Sequence, residues 1–324
     1  MAAEFDLINQ YFRFSSTEQT STLLDVETGV GDDAAVLNIG DSRFVVATDT
    51  LVEGVHFPAT MEPRYVASRA LGVNLSDFAA MGVRPKWLTL SLCVPAYNEV
   101  WLAEFSRELE QLCTQYSLAL VGGDTVRGNL CIGFTVMGTS DNGCMLRSGA
   151  QAKDDIWVSG YLGNAAAALA LLQNTAHTDW SLTPSERQVL LEAFYKPKPQ
   201  IELGLSLQKI ATSAIDISDG LLADAGHVAK RSGVGLAVNS SDIPVAQSLL
   251  SYPEKKRISD WTMRGGDDYE LLFTAPEHQR KNIHQLSKQL GINLSRIGYV
   301  FNGEGILLDG AVASEQQLAG YSHF

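Results

Sequence analysis

A chain of 324 residues, 45% hydrophobic and 19% charged, is long enough for two ordinary domains and apolar enough to give each a core. Its 37 acidic and 24 basic residues leave a formal net charge of −13, which excludes the basic surface of a nucleic-acid binder; no basic run exceeds Lys255-Lys256-Arg257. The longest apolar run, around 165–172, is too short to span a bilayer, and the start carries no secretory pattern, so a cytoplasmic protein is expected.

In chain order, 43–50 reads as a strand and 63–81 as a helix, with Pro63 at its start and Gly82 just past its end. A strand follows at 87–94, an amphipathic helix at 99–116, and strands around 118–122 and 130–138. The polar, turn-rich stretch 145–155 marks a boundary between two domains, 1–148 and 149–324. The second half opens with a strand at 156–159, a Gly160-Tyr-Leu-Gly-Asn turn and an Ala-rich helix. Pro197 and Pro199 break the chain after another helix. A strand at 213–217 runs into Asp219-Gly220 and a helix ending near Ser232, and Ile283, Leu286 and Leu290 mark a helix closed by Gly291. Strands and helices mix irregularly, which favours an α+β, or mixed α/β, fold over a regular doubly wound sheet. Cys93, Cys113, Cys131 and Cys144 form no Cys-x-x-Cys and read as reduced core residues.

The informative feature is where the aspartates stand. Six segments place one or two after an apolar run and beside Gly, Ser or Thr: Gly29-Val-Gly-Asp32-Asp33, Val45-Val-Ala-Thr48-Asp49, Val73-Asn-Leu-Ser-Asp77, Val121-Gly-Gly-Asp124, Ile215-Asp216-Ile-Ser218-Asp219 and Gly265-Gly-Asp267-Asp268. At strand ends such carboxylates line the rim of a core, where loops assemble sites. Several facing one cleft repel each other unless cations sit between them, and all-oxygen ligands suit Mg²⁺. Each has a plainer reading. Asp219 could cap the following helix, Asp32-Asp33 could be an exposed turn, and Asp49 a satisfied strand-end residue. Asp77 resists this, because Val66, Ala70, Val73 and Asp77 fall on one helical stripe where an ion is costly without a partner. His56 stands beyond the Asp49 strand, and Arg147 lies where the halves join and could reach a phosphate; their plainer readings are a structural histidine and a solvated linker arginine.

Other signatures fail. Gly29-x-Gly31-x-x-Ala34 imitates a dinucleotide fingerprint, but Asp32-Asp33 would face the pyrophosphate and Asp25-Val-Glu-Thr is a poor strand. There is no Gly-Lys-[Ser/Thr], His-Glu-x-x-His or Gly-x-Ser-x-Gly.

Taken together and in order, the segments from Gly31-Asp-Asp-Ala-Ala through Ala47-Thr-Asp-Thr-Leu-Val-Glu-Gly-Val-His-Phe, Val73-Asn-Leu-Ser-Asp-Phe, Gly122-Gly-Asp-Thr, Ile215-Asp-Ile-Ser-Asp-Gly and Gly265-Gly-Asp-Asp-Tyr-Glu-Leu to the terminal Gly320-Tyr-Ser-His-Phe resemble the thiamine-monophosphate kinase family. Gly-Gly-Asp-Thr and Ser-Asp-Gly are shared with wider relatives such as aminoimidazole ribonucleotide synthetase and selenophosphate synthetase. The resemblance implies ATP-dependent phosphorylation of thiamine monophosphate to thiamine diphosphate with several Mg²⁺ ions. It also implies the two-domain aminoimidazole ribonucleotide synthetase-like fold and a homodimer paired through N-terminal domains, with the nucleotide close to the interface. By motif, Asp33, Thr48, Asp49, Asp77, Asp124, Asp216 and Asp219 would be magnesium ligands. Gly123, Asp124, Arg147 and Ser218 would contact ATP, and His56, Asp267 and Tyr321 would lie at the thiamine phosphate. The chain departs from the family at Asp267, where Glu is frequent, and at Ala47, where Ser occurs.

The chemistry agrees with the residues. A phosphate oxygen is already anionic near neutral pH, so no side chain need remove a proton; the difficulty is bringing two polyanions together. The rivals are another ATP-using enzyme of the superfamily, activating an amide or selenide, and a non-catalytic acidic metal-binding protein. No Cys or Lys nucleophile precedes Asp32, against selenide chemistry, and no twelve-residue EF-hand pattern supports a calcium binder.

Overall fold

In the computed structural model, residues 7–12 and 24–320 are described. The first half builds one sheet from β1 (Val26–Thr28), β2 (Ala35–Ile39), β3 (Ser42–Val52), β4 (Pro85–Val94), β5 (Ala119–Arg127) and β6 (Cys131–Ser140), in the order β1-β2-β3-β6-β4-β5. Its neighbours run antiparallel except β4 and β5, which pair parallel. A parallel pair needs a crossover, and helix α2 (Glu99–Tyr116) supplies it, capped at its start by the Asn98 side chain and closed by Ser117 in the left-handed region. Helix α1 (Pro63–Ala80), which opens on Pro63, joins β3 to β4.

The second half builds a seven-stranded sheet. Its strands are β7 (Asp155–Ser159), β8 (Ser213–Asp216), β9 (Gly235–Val238), β10 (Leu271–Ala275), β11 (Leu294–Phe301), β12 (Gly305–Leu308) and β13 (Ala311–Val312), in the order β13-β12-β9-β11-β7-β10-β8. The helices here are α3 (Asn164–Leu172), α4 (Pro184–Tyr195), α5 (Ile201–Leu207), α6 (Leu221–Ser232), α7 (Gln247–Leu250), α8 (Lys255–Arg264), α9 (Arg280–Leu290) and α10 (Glu315–Leu318). Thr183 and Glu186 form a capping box at the start of α4, and Gly291 closes α9 at φ 65°. Strands β7, β8, β9 and β10 are buried along their whole length, so they show no polar alternation. That explains why β9 and β10 have no clear period in the sequence.

Three expectations need correction. The strand expected at 118–122 continues to Arg127, and β3 continues to Val52, so Asp124 and Asp49 lie inside strands rather than at their ends. Helix α1 is not striped. Val66, Ala70 and Val73 are buried, but so are Ser68, Arg69, Leu71, Asn74 and Leu75 around the other faces. The four cysteines are free, as expected, but half-buried rather than in the core.

The all-round burial of α1 follows from its place. It packs on β3, β6 and α2 within the first half and on β8, α4 and α5 of the second. One apolar cluster therefore runs across both halves, from Ala34 to Leu294, while a second, from Ala150 to Ala313, belongs to the second half alone. The approach of α5 to α1 depends on Gly204, whose added Cβ would run into the Ala79 carbonyl. Gly204→Ala is expected to destabilise the fold by about 1–3 kcal/mol in denaturant titration, because overpacking shifts backbone at a helix contact; a midpoint equal to wild type would contradict this close approach.

Candidate functional site

Three carboxylates from three elements meet where the sheets join. Asp33 comes from the turn before β2, Asp77 from the last turns of α1 and Asp216 from the end of β8, and each offers an oxygen within 4.8 Å of the others. Asp33 and Asp216 are buried. Asp77 retains some exposed surface, yet it lies deep enough that burial, joined by repulsion from Asp49, Asp216 and Asp33, holds its carboxyl well above the usual range. Burial and repulsion from Asp33 push Asp216 up to about 7, opposed by the Ser76 hydroxyl and Arg147. Burial raises Asp33 as well, and Arg147 opposes it. Asp49, in β3, belongs to the same electrostatic group, and its backbone N–H donates to the Asn74 side chain of α1 at 2.9 Å.

Arg147 is the cation at this junction. Its Nε and NH2 donate to Asp33 Oδ1 at 3.0 and 2.5 Å, and its backbone N–H donates to Asp32 at 3.2 Å. The guanidinium is 12% exposed and the Asp33 carboxylate 0%, so neither the exposed turn nor the solvated linker arginine describes these residues. Asp33 Oδ2 is buried with no partner among the described residues. A buried, orphaned carboxylate oxygen beside two further carboxylates fits a hard divalent cation, which this donor set would hold.

A second group adjoins the first. Asp219, Asp224 and His227 also bring ligand atoms within 4.8 Å of one another. Burial, with repulsion from Asp219 and Asp216, raises Asp224, while burial, Arg147 and Lys230 lower His227 to about 4, leaving its imidazole neutral near pH 7. Asp219 does not cap α6, whose N-cap is Gly220; Asp224 instead reaches back to the turn.

Two turns earlier on α1, Arg69 binds a third set. Its guanidinium is buried, lies 4.1 Å from the centre of the Phe194 ring and donates to His56 O at 2.9 Å, Phe194 O at 2.9 Å and Asp267 Oδ1 at 2.6 Å. The Tyr269 hydroxyl donates to the same Asp267 oxygen. His56 Nδ1 accepts from Val52 N–H. The segment 267–269 is held against 217–218 by Asp267 N–H to Ser218 O and Tyr269 N–H to Ile217 O, both 2.9 Å. Asp267 is thereby held beside Ser218, which stands between Asp216 and Asp219 in sequence, with the His56 carbonyl tied to Asp267 through Arg69.

Three sequence candidates, Thr48, Gly123 and Asp124, do not join the buried group. Thr48 and Asp49 are neighbours on β3 and leave it on opposite faces, and the Thr48 hydroxyl donates to Phe134 O. Asp124 and Gly123 are exposed on the edge strand β5, beyond β6 and β4, about 14 Å from β3 at the usual strand spacing. Tyr321 lies outside the described residues; Gly320 before it packs against the Asp219 carbonyl. Arg69, Asn74 and Asp224 escaped the sequence reading. The one available signal was polar residues inside segments that were otherwise helical and apolar.

With the geometry established, comparison with known proteins places it. Residues 31–140 match the N-terminal domain and 151–309 the C-terminal domain of the AIR synthase related proteins. A curated thiamine-monophosphate kinase from Salmonella typhimurium is 40% identical over 326 residues, covering 99% of this chain and 98% of the relative. A crystal structure of thiamine-monophosphate kinase from Stenotrophomonas maltophilia superimposes with a TM-score of 0.80 at 41% identity, over 96% of this chain and 98% of the other. A structure of AaThiL complexed with AMPPCP and TMP does so with a TM-score of 0.85 at 31% identity, over 99% and 97%.

The Asp33–Arg147 contact is open to a double-mutant cycle. Removing one partner strands the other charge in the interior, so Arg147→Met is expected to cost about 3–5 kcal/mol in chemical denaturation of the metal-free protein, with much of that recovered in Arg147→Met combined with Asp33→Asn. Strictly additive losses would contradict the pairing.

Proposed function

We propose a reaction and a set of residue roles on one premise: the chain belongs to the AIR synthase related family and, within it, to the thiamine-monophosphate kinases. It transfers the γ-phosphoryl group of ATP to the phosphate of thiamine monophosphate, giving thiamine diphosphate and ADP. A phosphate oxygen of the acceptor forms the new P–O bond as the bond between the γ-phosphorus and the bridging oxygen of ATP breaks in line. The observation that carries this reading is the convergence of Asp33, Asp77 and Asp216, largely removed from water, which a polyanionic reaction can use through divalent cations and which without them is held toward its protonated forms.

In this reading Asp33, Asp49, Asp77, Asp216 and Asp219 hold magnesium; Mg²⁺, when bound, supplies charge neutralisation between the two polyanions. Thr48, beside Asp49 on β3, contributes an oxygen to the same metal site; its hydroxyl proton is engaged with Phe134 O. Arg147 keeps Asp33 in place and presents positive charge to the nucleotide, and Ser218 meets ATP from the turn beside it. His56, Asp267 and Tyr321 receive the thiamine phosphate, with Arg69 fixing the first two relative to each other. The nucleophile needs no general base, and no base–nucleophile pair is assigned.

Gly123 and Asp124 enter through a homodimer. All nine residues of β5 are exposed, Leu120, Val121 and Val126 at 50% or more, on a sheet edge whose outer side has no strand among the described residues. An apolar free edge is a natural pairing surface, and a second N-terminal domain seated there brings both residues to the interface. The domain boundary is taken at 148/149. Use of ATP and four free cysteines accord with a cytoplasmic location. No helix among the described residues is long and apolar enough to cross a membrane.

The reaction is tested by incubating the protein with ATP, Mg²⁺ and either thiamine monophosphate or thiamine, and separating thiamine diphosphate by chromatography. The monophosphate is expected to be phosphorylated and free thiamine not, because an alcohol nucleophile needs a positioned base, to which this reading assigns no residue, and would sit one phosphate away from the metals. Equal specificity constants for the two acceptors would sink the mechanism. For the ligand assignment, Asp77→Asn is expected to lower kcat by about 10²–10³, the scale of losing one electrostatic contact in the transition state. The metal-free variant should melt at or above the wild-type temperature, since the substitution relieves repulsion among buried carboxylates. A variant that folds normally and keeps more than about a tenth of its rate removes Asp77 from the ligand set.

A further inference from the structure

The turn Ser218-Asp219-Gly220 is held from inside by a residue that the reaction does not obviously need. One oxygen of Asp224, Oδ2, accepts the backbone N–H groups of Ser218, Asp219 and Gly220 at 3.1, 3.2 and 3.2 Å. Asp224 lies in the first turn of α6, 2% exposed, and its own N–H donates to Gly220 O. Consecutive amides converging at a helix N-terminus form the concave arrangement that elsewhere cradles phosphate. Here the protein's own carboxyl group occupies it. The turn is closed on its other sides too. A Cβ on Gly220, at φ 115°, would meet the Arg264 backbone, one on Gly266 would meet the Ser218 carbonyl, and one on Gly320 would meet the Asp219 carbonyl. The three amides are therefore committed within the fold, and the turn cannot offer them to substrate.

We propose that Asp224 is a positioning residue for phosphoryl transfer: by accepting these three amides it fixes the backbone from which Ser218 and Asp219 project. This rests on the reading that the turn serves metal and nucleotide. The role needs a hydrogen-bond acceptor, not a negative charge, and that separates it from direct metal ligation, which loss of the carboxylate's charge would weaken.

The experiment compares full-length wild type, Asp224→Asn, Asp224→Ala and Asp219→Asn. Asparagine keeps a carbonyl oxygen where the amides converge, and alanine leaves them none. In metal-free protein, amide hydrogen exchange at 218–220 should be slow in wild type and Asp224→Asn and at least about tenfold faster in Asp224→Ala. Half-saturating Mg²⁺ for binding a non-hydrolysable ATP analogue, followed by calorimetry, should stay within about threefold of wild type in Asp224→Asn and rise at least about tenfold in Asp224→Ala, with KM for thiamine monophosphate within about threefold in both. Fast exchange of the three amides in wild type would overturn the clamp, and that measurement stands even if the alanine variant does not fold. An asparagine variant as impaired as alanine would overturn it by showing that charge matters. An alanine variant that melts lower but binds Mg²⁺ and the analogue as wild type does would reduce Asp224 to a structural role. Asp219→Asn separates the two levels. If it leaves the Mg²⁺ dependence untouched, the underlying reading of the turn fails and the proposal with it. If it weakens binding while Asp224→Ala does not, the proposal alone fails.

Discussion

Like charges held together away from water constrain everything around them. Asp33, Asp77 and Asp216 have oxygens within 4.8 Å of each other, and in an interior of reduced dielectric their repulsion is several times what it would be in water. The fold answers with Arg147, whose side chain is engaged by Asp33 and whose backbone is engaged by Asp32. Arg147 belongs to the segment between the two sheets, and its carbonyl accepts from the Ser232 hydroxyl, so the same residue also ties the first half to the second. The remaining imbalance, including the unpartnered Asp33 Oδ2, is what a bound cation would relieve.

Helix α1 makes the arrangement possible. Buried on every side, it carries an unusual load of polar residues, and several of them have a neighbour that satisfies them. Ser68 donates to Glu108, Arg69 reaches His56, Phe194 and Asp267, Asn74 accepts from Asp49 and bonds back to Ala70, and Asp77 enters the carboxylate group. One rigid element thus sets the distance between the metal side and the thiamine side of the proposed site. Its close approach to α5 at Gly204 locks that element against the second half.

The site was partly legible. The six aspartate segments were found because an Asp after an apolar run and beside Gly, Ser or Thr departs from ordinary surface composition, and Asp33, Asp77 and Asp216 do converge. Arg69 was not found, because an arginine in a helix is usually solvated and only the stacking of Phe194 and the facing Asp267 make its burial tolerable. Asp224 was missed for a similar reason: at the start of a helix it reads as a charge favourable to the dipole, and its acceptance of three amides depends on a backward turn that no local pattern encodes.

Local signals in the chain determined what local physics controls. Pro63 and Gly82 bracket α1, the amphipathic period over 99–116 coincides with α2, and Gly291 ends α9, since caps and periodicity act within a few residues. The order of motifs was likewise enough to identify the family. Only the tertiary structure decided which carboxylates meet, that α1 has no solvent face, and that Asp124 stands on an exposed edge instead of in the buried group. Those outcomes depend on strand order and on packing between residues far apart in the chain. Burial and electrostatic coupling follow from which distant surfaces come together, and no short window of sequence contains that.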